Sequence, residues 1–124
     1  LLAAVGQLNP DMVSLSATEE LPTALSIFLQ GNVAISPAFF GDGLRCAGGT
    51  LKRIGVKSAV GGAALYPGPG DLGIRARSAQ LGDTIPSGGT RYYQTYYRDP
   101  NAAFCPAPAG NTWNVTNGIT IVWP

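Results

Sequence analysis

Thr90-Arg91-Tyr92-Tyr93-Gln94-Thr95-Tyr96-Tyr97-Arg98 decides the fold. These nine residues carry four tyrosines and no helical spacing of apolar positions, which describes a β-strand with aromatic side chains on both faces. Tyr93, Thr95 and Tyr97 share one face, while Tyr92, Gln94 and Tyr96 share the other. One set is expected to pack between sheets and the other to face solvent, a neighbour or a ligand. Tyr92 and Tyr96 are taken as the exposed pair, although the inverse assignment would expose Tyr93 and Tyr97.

Period-two alternation continues away from this strand. Met12 to Thr18 places Val13, Leu15 and Ala17 on one side and Ser14, Ser16 and Thr18 on the other, a half-buried strand. Ala24 to Gln30 and Thr50 to Val56 read as further strands, and Ala59 to Ala64 as a weakly paired one. Ile74 to Gln80 alternates as well, with Arg75 and Arg77 on one face. Ser36-Pro37 and Gly41-Asp42-Gly43 read as turns around an apolar plug, Ala38-Phe39-Phe40. Thr112 to Thr116 and Ile119 to Trp123 flank Asn117-Gly118, the strongest short signal for a hairpin. About eight short strands at this spacing predict an all-β antiparallel sandwich of Greek-key or jelly-roll type.

Composition agrees. In 124 residues, 17 Gly and 10 Pro punctuate short strands, and an apolar content of 45% suffices for a core, so the chain is one folded domain. Residues 11–124 are expected to form the sandwich, with residues 1–10 an apolar leader or linker ahead of it. The start at Leu1 rather than Met reads as a processed product or an excised piece. A net charge of +1 offers no field for nucleic acid, and every apolar run is interrupted too early for a membrane-spanning helix.

The two cysteines, Cys46 and Cys105, are expected to form a disulfide in an exported protein, closing a loop of about 60 residues and contributing about 4 kcal/mol. No histidine is present, so neither a Ser-His nor a Cys-His dyad can form, and zinc lacks a ligand set. Asp42, Asp71 and Asp83 sit in turn-like contexts, as does Asp99, and the Gly-Asp-Gly segment falls far short of a calcium loop. The expectation is therefore no catalytic residue, no metal and no cofactor.

Three segments carry a family resemblance. Phe40-Gly-Asp-Gly-Leu-Arg-Cys46 with the basic Lys52-Arg53 behind it, Tyr93-Gln-Thr-Tyr-Tyr-Arg-Asp-Pro100, and Val115-Thr-Asn-Gly-Ile-Thr-Ile-Val-Trp-Pro124 resemble the "FGDG-x-x-C", "FQ-x-WYRDP" and "NG-hydrophobic-P" segments of one all-β domain. That domain is found near the C-termini of large secreted or surface proteins of planctomycetes, myxobacteria and related bacteria. The resemblance spans about Leu15 to Pro124. It implies export, a β-sandwich and a role as a surface module, and it carries over no catalytic residue.

Two functions follow as expectations. The first is a structural subunit that assembles with copies of itself into a surface layer, matrix or filament by strand pairing, with Leu1, Leu2, Val5 and Leu8 of the leader as contacts. The second is a carbohydrate-binding module whose aromatic patch comprises Tyr92, Tyr96 and Trp113 beside the polar Gln94 and Asn114.

Overall fold

The computed structural model describes residues 1–98 and 113–124. The tyrosine stretch is the strand β8 (Thr90–Arg98), and it sits in the middle of the largest sheet. One edge of β8 pairs with β3 (Leu25–Gly31), which in turn pairs with β6 (Lys52–Ser58). The other edge takes two short strands in succession, β9 (Trp113–Val115) opposite Tyr96–Arg98 and β10 (Ile119–Val122) opposite Thr90–Tyr93. A second sheet is built from β1 (Leu2–Val5), β2 (Ser14–Ala17) and β7 (Ala64–Tyr66), with β2 in the centre. The two-stranded sheet of β4 (Val33–Phe40) and β5 (Gly43–Gly48) completes the β structure of the described residues. Among the described residues every strand pairing is antiparallel.

One hydrophobic core joins the first two sheets. Phe28, Ile54, Tyr93 and Ile121 enter it from the larger sheet, and Leu2, Leu15, Ala17, Ala64 and Tyr66 from the smaller. Each large side chain buried there contributes about 1.5–3 kcal/mol relative to exposure. The expected inward face of the second strand is observed: Val13, Leu15 and Ala17 are all buried. The core also holds a polar thread. Trp123 donates its Nε1–H to the Tyr93 hydroxyl (3.0 Å), which donates to Gln30 Oε1 (2.9 Å), and Gln30 Nε2 donates to Ser78 Oγ (2.7 Å) and to Asp83 (3.0 Å). Burial holds the Tyr93 hydroxyl well above the ordinary tyrosine range, so it remains a donor.

Ile74–Gln80 is not a strand but the short helix α1. Seven residues that alternate also place Ile74 and Ser78 four apart, and these are the two that the helix buries. Ala, Arg and Gln are strong helix formers, so propensity decides what periodicity left ambiguous. The helix begins at Gly73 without a side-chain cap of its own. Asp11, far away in sequence, supplies one: its Oδ2 accepts from the Arg75 N–H at 2.8 Å.

The hairpin predicted around Asn117-Gly118 does not form, because β9 and β10 lie end to end along the same edge of β8. The Asn117 side chain instead reaches β1, accepting from Leu2 N at 2.8 Å and donating to Leu2 O at 3.0 Å. β1 is a full partner of β2, and Leu2 is buried in the core. Ala38-Phe39-Phe40 is no plug: it ends the exposed strand β4, and Phe39 is 94% exposed. Cys46 carries a free thiol. Cys105 lies outside the described residues, as does Asp99, so the expected bridge is not among the described contacts.

Candidate functional site: an aromatic groove beneath the hairpin

The face of β8 opposite the core is covered by the β4–β5 hairpin. Gln94 attaches it. Its Oε1 accepts from Cys46 N (2.6 Å) and Ala47 N (3.1 Å), and its Nε2 donates to Leu44 O (3.1 Å) and Thr116 O (2.9 Å). A primary amide has two donor hydrogens and an oxygen with two lone pairs, so this side chain is fully used. It is 1% exposed. Gln94, expected in a solvent-facing patch, is therefore unavailable to a ligand. The strand centre is covered on both faces, with Tyr93, Gln94 and Thr95 buried in succession.

The Gly41-Asp42-Gly43 turn brings the hairpin tip against β9. A Cβ on Gly41, which has φ +61, would stand 2.6 Å from Trp113 atoms, and one on Gly43 would stand 2.5 Å from Val115 Cγ1. Both positions need glycine for this approach, and the Asp42 N–H donates to Trp113 O at 3.1 Å. Asp42 thus serves in a tight turn. Among the described residues no group of three or more His, Cys, Asp or Glu could hold a metal ion.

This docking collects three rings. Phe40 and Trp113 lie 4.5 Å apart between centroids, Phe40 and Tyr96 5.6 Å, and Tyr96 and Trp113 5.7 Å, each in edge-to-face geometry. The Arg45 guanidinium sits over Phe40 at 5.5 Å. Beside the rings runs a groove of about 250 Å³ lined by Leu29, Phe40, Leu51, Lys52, Arg53 and Tyr96. Phe40 and Tyr96 give it aromatic surface, and Lys52 and Arg53 give it two cations.

Of the three aromatic residues expected in the patch, the structure unites Tyr96 and Trp113. Tyr92 lines a separate pocket of about 180 Å³ together with Ala34, Cys46 and Ile119. Phe40, Arg45 and the Lys52-Arg53 pair were not among the expected site residues. A turn at Gly41–Gly43 flanked by apolar residues was the available signal for the hairpin that places Phe40.

The residues expected to mediate assembly divide. Leu1 and Val5 are exposed (60% and 56%), Leu2 is in the core, and Leu8 packs against it. The outer edge of β1 is occupied at Leu2 by the Asn117 amide. The strand left most open is β4, six of whose eight residues are exposed. β5 pairs along one side of β4, with a register shift between Ala34 and Ala38.

No protein-family model, curated protein or solved structure matches this chain. Among the described residues no helix is long and apolar enough to cross a membrane.

Proposed function

We propose that this chain is a non-catalytic extracellular module, sandwich-like in architecture, that assembles with copies of itself through β-strand pairing in a surface layer, matrix or filament. The observation that carries this reading is β4. Its sequence Val33-Ala-Ile-Ser-Pro-Ala-Phe-Phe40 contains no charge, most of its side chains are exposed, and among the described residues β5 is its one strand partner, which leaves the other edge unpaired there. An apolar strand edge of this kind is a template for another strand. The edge strand β6 is different, because Lys52, Arg53 and Lys57 place three cations along it. Pro37 and the register shift interrupt β4, which leaves Ala38–Phe40 as its pairing segment, with Phe39 projecting. A head-to-tail contact at this edge would not close on itself, and so would build a filament.

The test is sedimentation velocity over a concentration series, with negative-stain electron microscopy of the same samples. Parent protein is expected to form ordered polymers, and Phe39→Lys to remain monomeric with unchanged circular dichroism. Parent protein that stays monomeric at all concentrations, or Phe39→Lys polymers like those of the parent, would refute the reading.

The groove beside Tyr96 favours a second reading, carbohydrate binding. Partly apolar sugar faces suit aromatic surface such as that of Phe40 and Tyr96, and Lys52 and Arg53 can donate to hydroxyls.

A further inference from the structure

We propose that a second cleft, bounded by β6, the loop after β7 and α1, binds the carboxylate of an acidic sugar, a hexuronate unit of a polyanionic glycan. The cleft measures about 330 Å³, at the small end of the range for ligand sites. Lys57, Tyr66, Asp71, Leu72, Arg77 and Gln80 contribute to its lining. None of them belongs to the aromatic groove, and the inference is independent of both readings above.

Arg77 is the anchor. Its Nε donates to Ile54 O at 3.1 Å, and its Nη1 donates to Gln80 Oε1, so the guanidinium is held in place by neutral acceptors. The two ion pairs of the described residues, Lys57–Asp71 and Arg91–Asp83, do not include it. A guanidinium that is positioned without being neutralised is arranged for an incoming anion. Lys57 sits across the cleft, its ammonium 6.0 Å from the centroid of the Tyr66 ring and paired with Asp71. Asp71 is fixed from a second direction by the Gly68 N–H at 2.8 Å. These two bonds hold the Asp71 carboxyl below its ordinary range.

Charge selects the ligand. Lys57 and Arg77 against Asp71 leave one net positive charge, which matches a monoanion and disfavours a phosphate dianion beside Asp71. A planar carboxylate fits a guanidinium edge. Asp71 can accept from a hydroxyl and the Gln80 amide can donate to one, so a carboxylate on a hydroxyl-rich ring satisfies all these groups. Stacking contributes little here: Tyr66 is 3% exposed, and its hydroxyl is bonded to Leu72 O. Selectivity against a neutral sugar of the same shape therefore rests on charge, and selectivity against a tetrahedral sulfate ester rests on the planar fit of the carboxylate to the guanidinium edge.

The experiment is an NMR titration of the whole chain with a galacturonate tetramer, a neutral galactose tetramer and a sulfated galactose tetramer. The acidic tetramer is expected to shift the amides of Lys57, Asp71, Arg77 and Gln80, and the other two to bind about tenfold more weakly or worse. Lys57→Gln and Arg77→Gln are each expected to weaken the galacturonate by about tenfold, while Tyr96→Ala leaves it unchanged. Arg77→Gln also removes the bond to Ile54, so the half-exposed Lys57 provides the variant that spares the fold. No shift of these amides up to about 10 mM, equal binding of the neutral or sulfated tetramer, or parental affinity in Lys57→Gln would each overturn the proposal.

Discussion

Gln94 is the residue whose replacement most directly tests how the hairpin is held. Its amide closes four hydrogen bonds, two from β5 backbone N–H groups and two to the carbonyls of Leu44 and Thr116. A bond of this kind contributes about 0.5–1.5 kcal/mol net, and a buried group left without a partner costs about 1–3 kcal/mol. Gln94→Ala removes the amide but opens a space that water can enter, so part of the loss is recovered. The expected destabilisation is about 3 kcal/mol, a large share of the roughly 5–15 kcal/mol that holds a domain together. Gln94→Leu fills the same space with an apolar side chain, excludes water and strands both donors and both acceptors, which raises the expected loss to about 4 kcal/mol or more. The order of the two variants is the sharper result, since simple loss of packed volume would make alanine the worse one. Urea unfolding gives the free energies, and amide hydrogen exchange at Cys46 and Ala47 gives the local effect. If both variants lie within about 0.5 kcal/mol of the parent and those two amides stay protected, the hairpin is not held by Gln94.

Two further outcomes are expected. Pull-down on insoluble polysaccharides should retain the parent if the groove beside Phe40 binds sugar, and Tyr96→Ala should abolish retention; retention that survives the change excludes the groove. Glu20 is buried, its Oε2 accepts from Ser26, and its Oε1 lacks a partner, so burial raises its pKa above the ordinary carboxylate value despite the Ser26 bond. A carboxyl raised in the folded state favours folding while protonated, and that stability is lost as pH rises through the folded value, from about 4.3 upward. Urea midpoints from pH 4 to 8 should therefore fall for the parent relative to Glu20→Gln, and parallel curves would show that Glu20 does not titrate this way.

The β8 strand was legible because four tyrosines and two threonines in nine residues leave no competing pattern. Its surroundings were less so. Gln94 read as an outward polar residue, and only the arrival of the hairpin, nearly 50 residues distant in sequence, turns it into a buried fastener. At Asn117-Gly118 the local turn signal was sound in isolation. It lost to a longer-range option, since one edge of β8 had length enough for both β9 and β10, and Asn117 gained two backbone partners on β1. The helix α1 shows the opposite case: periodicity over seven residues was ambiguous, while the propensities of Ala, Arg and Gln pointed the right way. Two of the three rings of the aromatic site were readable. Tyr96 and Trp113 lie in strongly strand-like segments, whereas Phe40 joins them only because Gly41 and Gly43 let the turn approach β9.

The distribution of guarded and unguarded edges links this architecture to its proposed role. β8 is paired along both edges and covered on both faces. The outer edge of β1 is met by Asn117, and β6 carries three cations. β4 has neither device, only Pro37 and a register shift, and it exposes Phe39 almost completely. A domain that needed only to remain soluble would gain from one lysine at that position, at little cost to a side chain already in water. The large apolar ring at the most exposed point of an uncharged edge is a feature that monomer stability does not explain. Head-to-tail pairing of this edge with a different strand of another copy, as proposed, would account for it, and the Phe39→Lys comparison separates the two.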